Sequence, residues 1–159
     1  MGKIRNNLYF RIIGQDKSQF NLFFKILAMI FILTTQLHSI GAHIGSPVAL
    51  SLRFEQDFRI MAGWNLLENN VYFSFDKDFN IPTRELQPLK FYIGIGGYLM
   101  TVKVNKNQSA GVGIRVPFTL NYSFTEAPID LGIQITPAFR LIPDVNPDFF
   151  AGLLLMLRL

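Results

Sequence analysis

From Val112 to Phe124, hydrophobic and polar positions alternate one for one. Val112, Ile114, Val116, Phe118, Leu120, Tyr122 and Phe124 are interleaved with Gly113, Arg115, Pro117, Thr119, Asn121 and Ser123. Successive side chains of a strand point to opposite faces, so this run predicts a strand with one apolar face and one polar or small face. A helical period cannot produce it. Ile129 to Leu141 repeats the pattern, with Ile129, Leu131, Ile133, Ile135, Pro137, Phe139 and Leu141 alternating with Asp130, Gly132, Gln134, Thr136, Ala138 and Arg140. Both runs are longer than the usual strand of a globular sheet and match a tilted strand that spans a bilayer.

Weaker alternation predicts further strands at Val48–Phe54, Phe58–Trp64, Val71–Phe79, Leu89–Val104 and Phe149–Leu159. In Leu89–Val104 both faces carry apolar residues near Tyr92, Tyr98 and Met100, so its parity is open. Turn-forming residues separate the strands at Glu55–Asp57, Glu68–Asn70, Asn80–Pro88, Asn105–Ser109, Thr125–Pro128 and Pro143–Asp148. Single-chain bacterial barrels have an even number of strands, and these make seven, so an eighth is expected before the Gly45-Ser46-Pro47 turn, at Ile40–Ile44 or extended backward from it. The predicted fold is all-β: a small antiparallel up-and-down transmembrane β-barrel of about eight strands, preceded by an N-terminal signal helix. With the last strand ending on the periplasmic side, the Glu55 and Thr125 turns fall inside and the Glu68, Asn105 and Pro143 loops outside. The long Asn80–Pro88 connection then falls inside, against the rule of short periplasmic turns. Pro117 and Pro137 cannot donate to a ladder, so a bulge or local gap is expected near each.

The N-terminus follows a different plan. Ile26 to Leu33 reads ILAMIFIL, preceded by Lys3, Arg5, Arg11, Lys17 and Lys25 with Asp16 as the only acid, and followed by Thr34, Thr35, Ser39, Gly41 and Ala42. Positive, then apolar, then small is the order of a secretory signal, and the apolar stretch is too short for a spanning helix. Residues 1–39 are therefore expected to be an export segment, with cleavage between 35 and 42, and residues 40–159 the barrel. The same division explains the charge. The chain carries 15 bases and 11 acids, and removing the five bases and one acid before Ile26 leaves ten of each. No basic face remains for a phosphate backbone, so nucleic acid is not an expected partner. Half of the residues are hydrophobic and 16 are Phe, an apolar excess that a bilayer would absorb. The absence of cysteine excludes disulfides, thiol chemistry and lipid anchoring through an N-terminal cysteine.

By parity, Arg53, Arg59, Asp76, Arg115, Asp130, Arg140 and Arg158 share the polar face with Gln134, Ser51, Ser74, Thr119, Asn121 and Ser123. The interior of an eight-stranded barrel is just wide enough for side chains to fill. These charges are therefore expected to form a paired lumen network, with a narrow ion path as the alternative. Glycines 94, 96, 97, 113, 132 and 152 are expected to make room beside large inward groups. Trp64, Tyr72, Tyr92, Tyr98 and Tyr122, with Phe58, Phe79, Phe149 and Phe150, are placed as an interfacial girdle would place them.

No catalytic, cofactor-binding or metal-binding residues are assigned. Gly94-Ile-Gly96-Gly97 lacks the spacing and helix of a nucleotide loop. His38 and His43 fall at or before the expected mature N-terminus, which would leave the barrel no histidine for acid–base chemistry. The expected function is an outer-membrane barrel with a structural, adhesive or narrow-pore role and no catalytic activity. The alternative is an exported soluble barrel that binds an apolar ligand, as lipocalins do. What separates them is the direction of the apolar face, which alternation alone leaves open.

Phe150-Ala-Gly152-Leu-Leu-Leu155-Met-Leu157 resembles the C-terminal assembly signal of outer-membrane barrels, with Phe150 where a polar residue is usual and Leu159 in place of a terminal aromatic. The segments Ile44-Gly-Ser-Pro-Val-Ala-Leu-Ser-Leu-Arg-Phe54, Met61-Ala-Gly-Trp64, Gly111-Val-Gly-Ile-Arg-Val-Pro-Phe118 and Thr136-Pro-Ala-Phe-Arg-Leu-Ile-Pro143 resemble a family of small, poorly characterised bacterial outer-membrane barrels known notably from spirochaetes. The resemblance implies an eight-stranded barrel of OmpA or OmpX type and makes both prolines family features. It departs at Gly45-Ser-Pro-Val-Ala49, where a polar turn is usual. The implied partners are the lipid of the outer membrane, the barrel assembly machinery through the last strand, and an extracellular or host ligand at the outer loops. The implied state is a monomer.

Overall fold

Alternating strands that each bury one face must either stack against a second layer or close on themselves, and this chain closes. The computed structural model describes Lys25 and residues 37–159 apart from 56, 67, 83–87, 105 and 106. The expected export segment thus lies almost wholly outside the described residues, as does most of the Asn80–Pro88 connection. The strands are β1 (Leu37–Ser46), β2 (Val48–Phe54), β3 (Phe58–Asn65), β4 (Asn70–Ile81), β5 (Leu89–Val104), β6 (Asn107–Arg115), β7 (Phe118–Ser123), β8 (Ile129–Ile142) and β9 (Asn146–Arg158). All pairings are antiparallel. From β1 to β5 each strand pairs with the next, β6 and β7 each pair with β5 on one side and β8 on the other, β8 pairs with β9, and β9 pairs with β1.

β6 and β7 are one strand with an interruption. Arg115 pairs with Ala138 and, three residues on, Phe118 pairs with Ile135, so no residue is gained or lost against β8. The same holds against β5, where Gly96 faces Arg115 and Ile93 faces Phe118. The wall is therefore a closed eight-stranded barrel, and β1 supplies the strand that parity demanded. β1 starts at Leu37, earlier than the expected Ile40, so His38 and Ser39 lie on it. Pro117 and Pro137, each expected to disturb its own strand, share one gap: Val116-Pro117 breaks β6 from β7 opposite Thr136 and Pro137, while β8 runs unbroken against β9. The register shifts lie elsewhere, at Leu37/Ser39 and Val112/Gly113. The Asn105 and Pro143 loops are shorter than predicted, because β6 begins at Asn107 and β9 at Asn146.

The connections are formed by residues suited to them. Asp57 and Asn69 adopt left-handed backbone angles, φ 59° and 56°, which short polar side chains tolerate best after glycine. Asp57 N–H donates to the Phe54 carbonyl at 3.0 Å, closing the β2–β3 turn. The Trp64 indole N–H donates to Asn69 Oδ1 at 3.1 Å, tying down the β3–β4 turn.

The direction of the two faces is unambiguous. Leu50, Phe75, Ile95, Ile114, Ile133 and Leu155 are exposed on the outside around the whole circumference, whereas Arg59, Asp76, Asp78, Arg115, Thr119 and Gln134 are buried inside. This is the inverse of a barrel that holds an apolar ligand. It also fixes the parity of β5: Tyr92, Tyr98, Met100 and Val102 point inward, Ile95 and Leu99 outward. Four of the aromatics expected at a girdle are thereby corrected. Tyr72, Tyr92, Tyr98 and Phe150 occupy the lumen, at 1%, 8%, 2% and 4% exposure, because they share the parity of the polar residues on their strands. Trp64, Phe79, Tyr122 and Phe149 do face outward.

Candidate functional site in the barrel lumen

One row of paired positions across neighbouring strands builds the centre of the lumen. Arg53 on β2 faces Arg59 on β3, Arg59 faces Asp76 on β4, Asp76 faces Gly96 on β5, and Gly96 faces Arg115 on β6. Two arginines side by side repel. They are reconciled by Asp78, two residues along β4 on the same face. Its Oδ2 accepts from Arg53 Nη2 at 2.8 Å and its Oδ1 from Arg59 Nη2 at 3.0 Å. Gly96 does the converse for Asp76. A Cβ at that position would overlap the carboxylate, and its absence lets Arg115 Nε reach Asp76 Oδ1 at 3.1 Å across β5. Arg59 Nε also lies 3.7 Å from Asp76 Oδ2. Further contacts fix each guanidinium: Arg59 Nη1 donates to Thr119 Oγ1 at 3.5 Å, Arg115 donates to the Tyr72 hydroxyl, and Arg53 lies over the Tyr92 ring at 4.5 Å.

Three arginines and two aspartates thus make one buried cluster. Such charges persist away from water only when every member is paired, since an isolated buried ion costs several kcal/mol or more. Asp78 was not among the lumen charges expected from the sequence, although it shares the parity of Asp76.

The remaining predicted charges belong to the two mouths. At the end that carries Leu37 and Leu159, here the terminal end, Arg158 Nε lies 3.6 Å from Asp130 Oδ1. Its Nη2 donates to the Phe124 and Ala127 carbonyls at 2.6 and 2.7 Å. A cleft of about 810 Å³ opens at this end, lined in part by Asn80, Lys90, Tyr122 and Ser123. At the opposite, far end, Arg140 lies 3.7 Å from Asp148 and 3.8 Å from Asp144. The predicted network of seven residues is therefore three groups: Arg53, Arg59, Asp76 and Arg115 come together, while Asp130 with Arg158 and Arg140 sit apart at opposite mouths.

Between the charged cluster and the far mouth lies an apolar layer that the alternation hid. Tyr72, Tyr98 and Phe150 pack ring to ring, with centroids 5.2 to 6.1 Å apart, and Met100, Val102 and Ala138 complete the cluster. The Tyr98 hydroxyl donates to Asp148 Oδ2 at 2.5 Å, which links this layer to the ion pairs above it. Gly113 stands where a Cβ would strike the Tyr98 ring.

His43 corrects a further expectation. It is 1% exposed in the interior on β1, so the barrel does contain a histidine. Its Nδ1 lies 2.6 Å from the Pro47 carbonyl, an acceptor, which makes Nδ1 the protonated nitrogen. Sequence reasoning lost it by placing the barrel's first residue too close to it. Among the described residues, no group of three His, Cys, Asp or Glu side chains is placed to hold a metal.

Comparison with known proteins gives a family and one distant structural likeness. The crystal structure of Neisserial surface protein A (NspA) is similar over 78% of this chain and 95% of that one, with 16% identity and a TM-score of 0.45. No curated protein matches. The model of a family described as a protein of unknown function, DUF3996, matches residues 32–153. That span includes all of β1 to β8, both prolines of the gap and every member of the central charge cluster, and the chain belongs to this family.

Proposed function

We propose that this protein is an outer-membrane barrel with a filled, non-conducting lumen, which holds its far-end loops on a rigid support. The observation that carries this reading is the continuous apolar exterior, with Phe75, Ile95, Ile133 and Leu155 each 47% to 62% exposed, around an interior that contains five charged side chains. Water would penalise that exterior, whereas hydrocarbon favours it, and a closed barrel leaves no backbone edge unpaired in lipid. The aromatic layer above the charge cluster leaves the lumen packed rather than open, which supports a scaffold over a pore. In this reading the terminal end faces the periplasm and the far-end loops face outward.

The export segment is then removed upstream of Leu37. A cut after Gly41 would delete Ser39 and Gly41, which pair with β2 on one side and β9 on the other.

The test is to fractionate membranes of expressing cells and run the protein with and without heating. Recovery in the outer-membrane fraction, a heat-dependent gel shift and a mature mass that retains Leu37 are expected. Recovery as a soluble protein without a shift overturns the reading. In planar bilayers, steady single-channel currents would replace the scaffold role with that of a pore.

A further inference from the structure

The barrel wall is interrupted between β6 and β7, where Pro117 and Pro137 lie on facing strands. In an antiparallel ladder, residues in a hydrogen-bonded pair exchange two N–H···O bonds. At Val116 and Pro137 only one exists: Val116 N–H donates to the Pro137 carbonyl at 3.0 Å. Proline has no N–H to return to the Val116 carbonyl. On the other side of the same strand, Gly94 N–H donates to the Pro117 carbonyl at 2.7 Å, and again the return bond cannot form. Two carbonyls at adjacent ladder positions, Val116 and Gly94, thus lack their strand donors.

A trough lies on the outer surface over this gap. Two rows of outward residues cross it, Val116–Pro137–Phe149 and Ile114–Phe139–Pro147. The short proline rings lie beside the taller Phe139 and Phe149, leaving a depression of about 430 Å³. All six residues are at the exposed level. The depression belongs to the same outward face as Ile133 and Ile135 on β8, so whatever surrounds the barrel also fills it.

We propose that this trough is a specific seat for one acyl chain of a membrane lipid. The inference rests on the membrane reading above and deepens it. A recessed and apolar surface holds a chain longer than the flat remainder of the belt does, because the chain contacts walls as well as floor. The far-end position of Pro147 puts the seat in the half of the belt nearer that mouth.

The test uses the full-length protein folded into phosphatidylcholine vesicles that contain a phosphatidylcholine with a diazirine in one acyl chain. After irradiation, adducts are mapped by mass spectrometry. Labelling at Val116, Phe139 and Phe149 is expected to exceed that at the comparably exposed Phe75 and Leu50 by about fivefold, the ratio given by about 1 kcal/mol of preference. Val116→Trp, which fills the trough, is expected to bring Phe149 down to the level of Phe75 while the heat-dependent gel shift remains. Pro147→Trp serves the same purpose if Val116→Trp fails to fold. Uniform labelling around the belt overturns the seat and leaves the membrane reading intact. Adducts between two protein copies at these residues also overturn it, in favour of a dimer face. Absence of labelling anywhere on the exterior overturns the membrane reading itself.

Discussion

The lumen is filled in two ways, in two adjoining layers. In the middle, Arg53, Arg59, Arg115, Asp76 and Asp78 hold one another by opposite charge, in ion pairs of 2.8 to 3.7 Å. Toward the far mouth, Tyr72, Tyr98 and Phe150 fill the same cross-section by shape. The first solution is all-or-none, because removing one partner strands the others. The second is graded, because a smaller ring loses contacts in proportion to the atoms removed. A barrel that used only the first would be specific but fragile, and one that used only the second would lack anything to fix its register.

The largest expected effect tests that difference directly. Asp78→Ala leaves Arg53 and Arg59 facing each other without their shared acceptor and should lower unfolding stability by about 3–5 kcal/mol. Urea titration in vesicles, followed by Trp64 fluorescence, would register it. A loss below about 1 kcal/mol would mean that the cluster behaves like a solvated surface and the contrast between the layers fails. Next in size, Phe150→Ala should cost about 3 kcal/mol by opening a void between Tyr72 and Tyr98. It should also leave the charged layer paired, so partial recovery with Phe150→Leu is expected. Equal losses for Ala and Leu would deny the layer its graded character. The smallest effect belongs to the link between layer and mouth. Tyr98→Phe removes one hydrogen bond to Asp148, which keeps Arg140, and should cost about 1.5 kcal/mol in the same titration.

Strand positions were legible to within a few residues because period-two alternation depends only on backbone geometry, and nearly every strand here carries it. β2 and β5 begin and end where the pattern predicts. Lumen contents were legible only where polarity and parity coincide. Arg53, Arg59, Asp76 and Arg115 were found because they are charged residues on an otherwise apolar pattern. Tyr72, Tyr98 and Phe150 have the same parity but were read as girdle residues, since an aromatic is compatible with either face until the neighbouring strand is in register. Register was also what the prolines needed. From sequence, Pro117 and Pro137 are two separate faults, and only the pairing of Arg115 with Ala138 and Phe118 with Ile135 reveals that they are opposite sides of one.

The pairing of β1 with β9 has a consequence for how the molecule is made. Ser39 lies beside Arg158, and the Leu159 N–H donates to the His38 carbonyl at 3.0 Å, so the cylinder is completed by the two most distant parts of the described chain. Every other junction joins strands close in sequence and can form as soon as a hairpin does; this one must wait for all of them, at the entropic cost of the longest loop available. Until then both outer strands display unpaired backbone to any passing chain. Biogenesis, rather than the finished structure, is where this protein is most exposed to error, and mutations that leave the folded barrel untouched but slow the meeting of its ends should surface as aggregation or loss in transit.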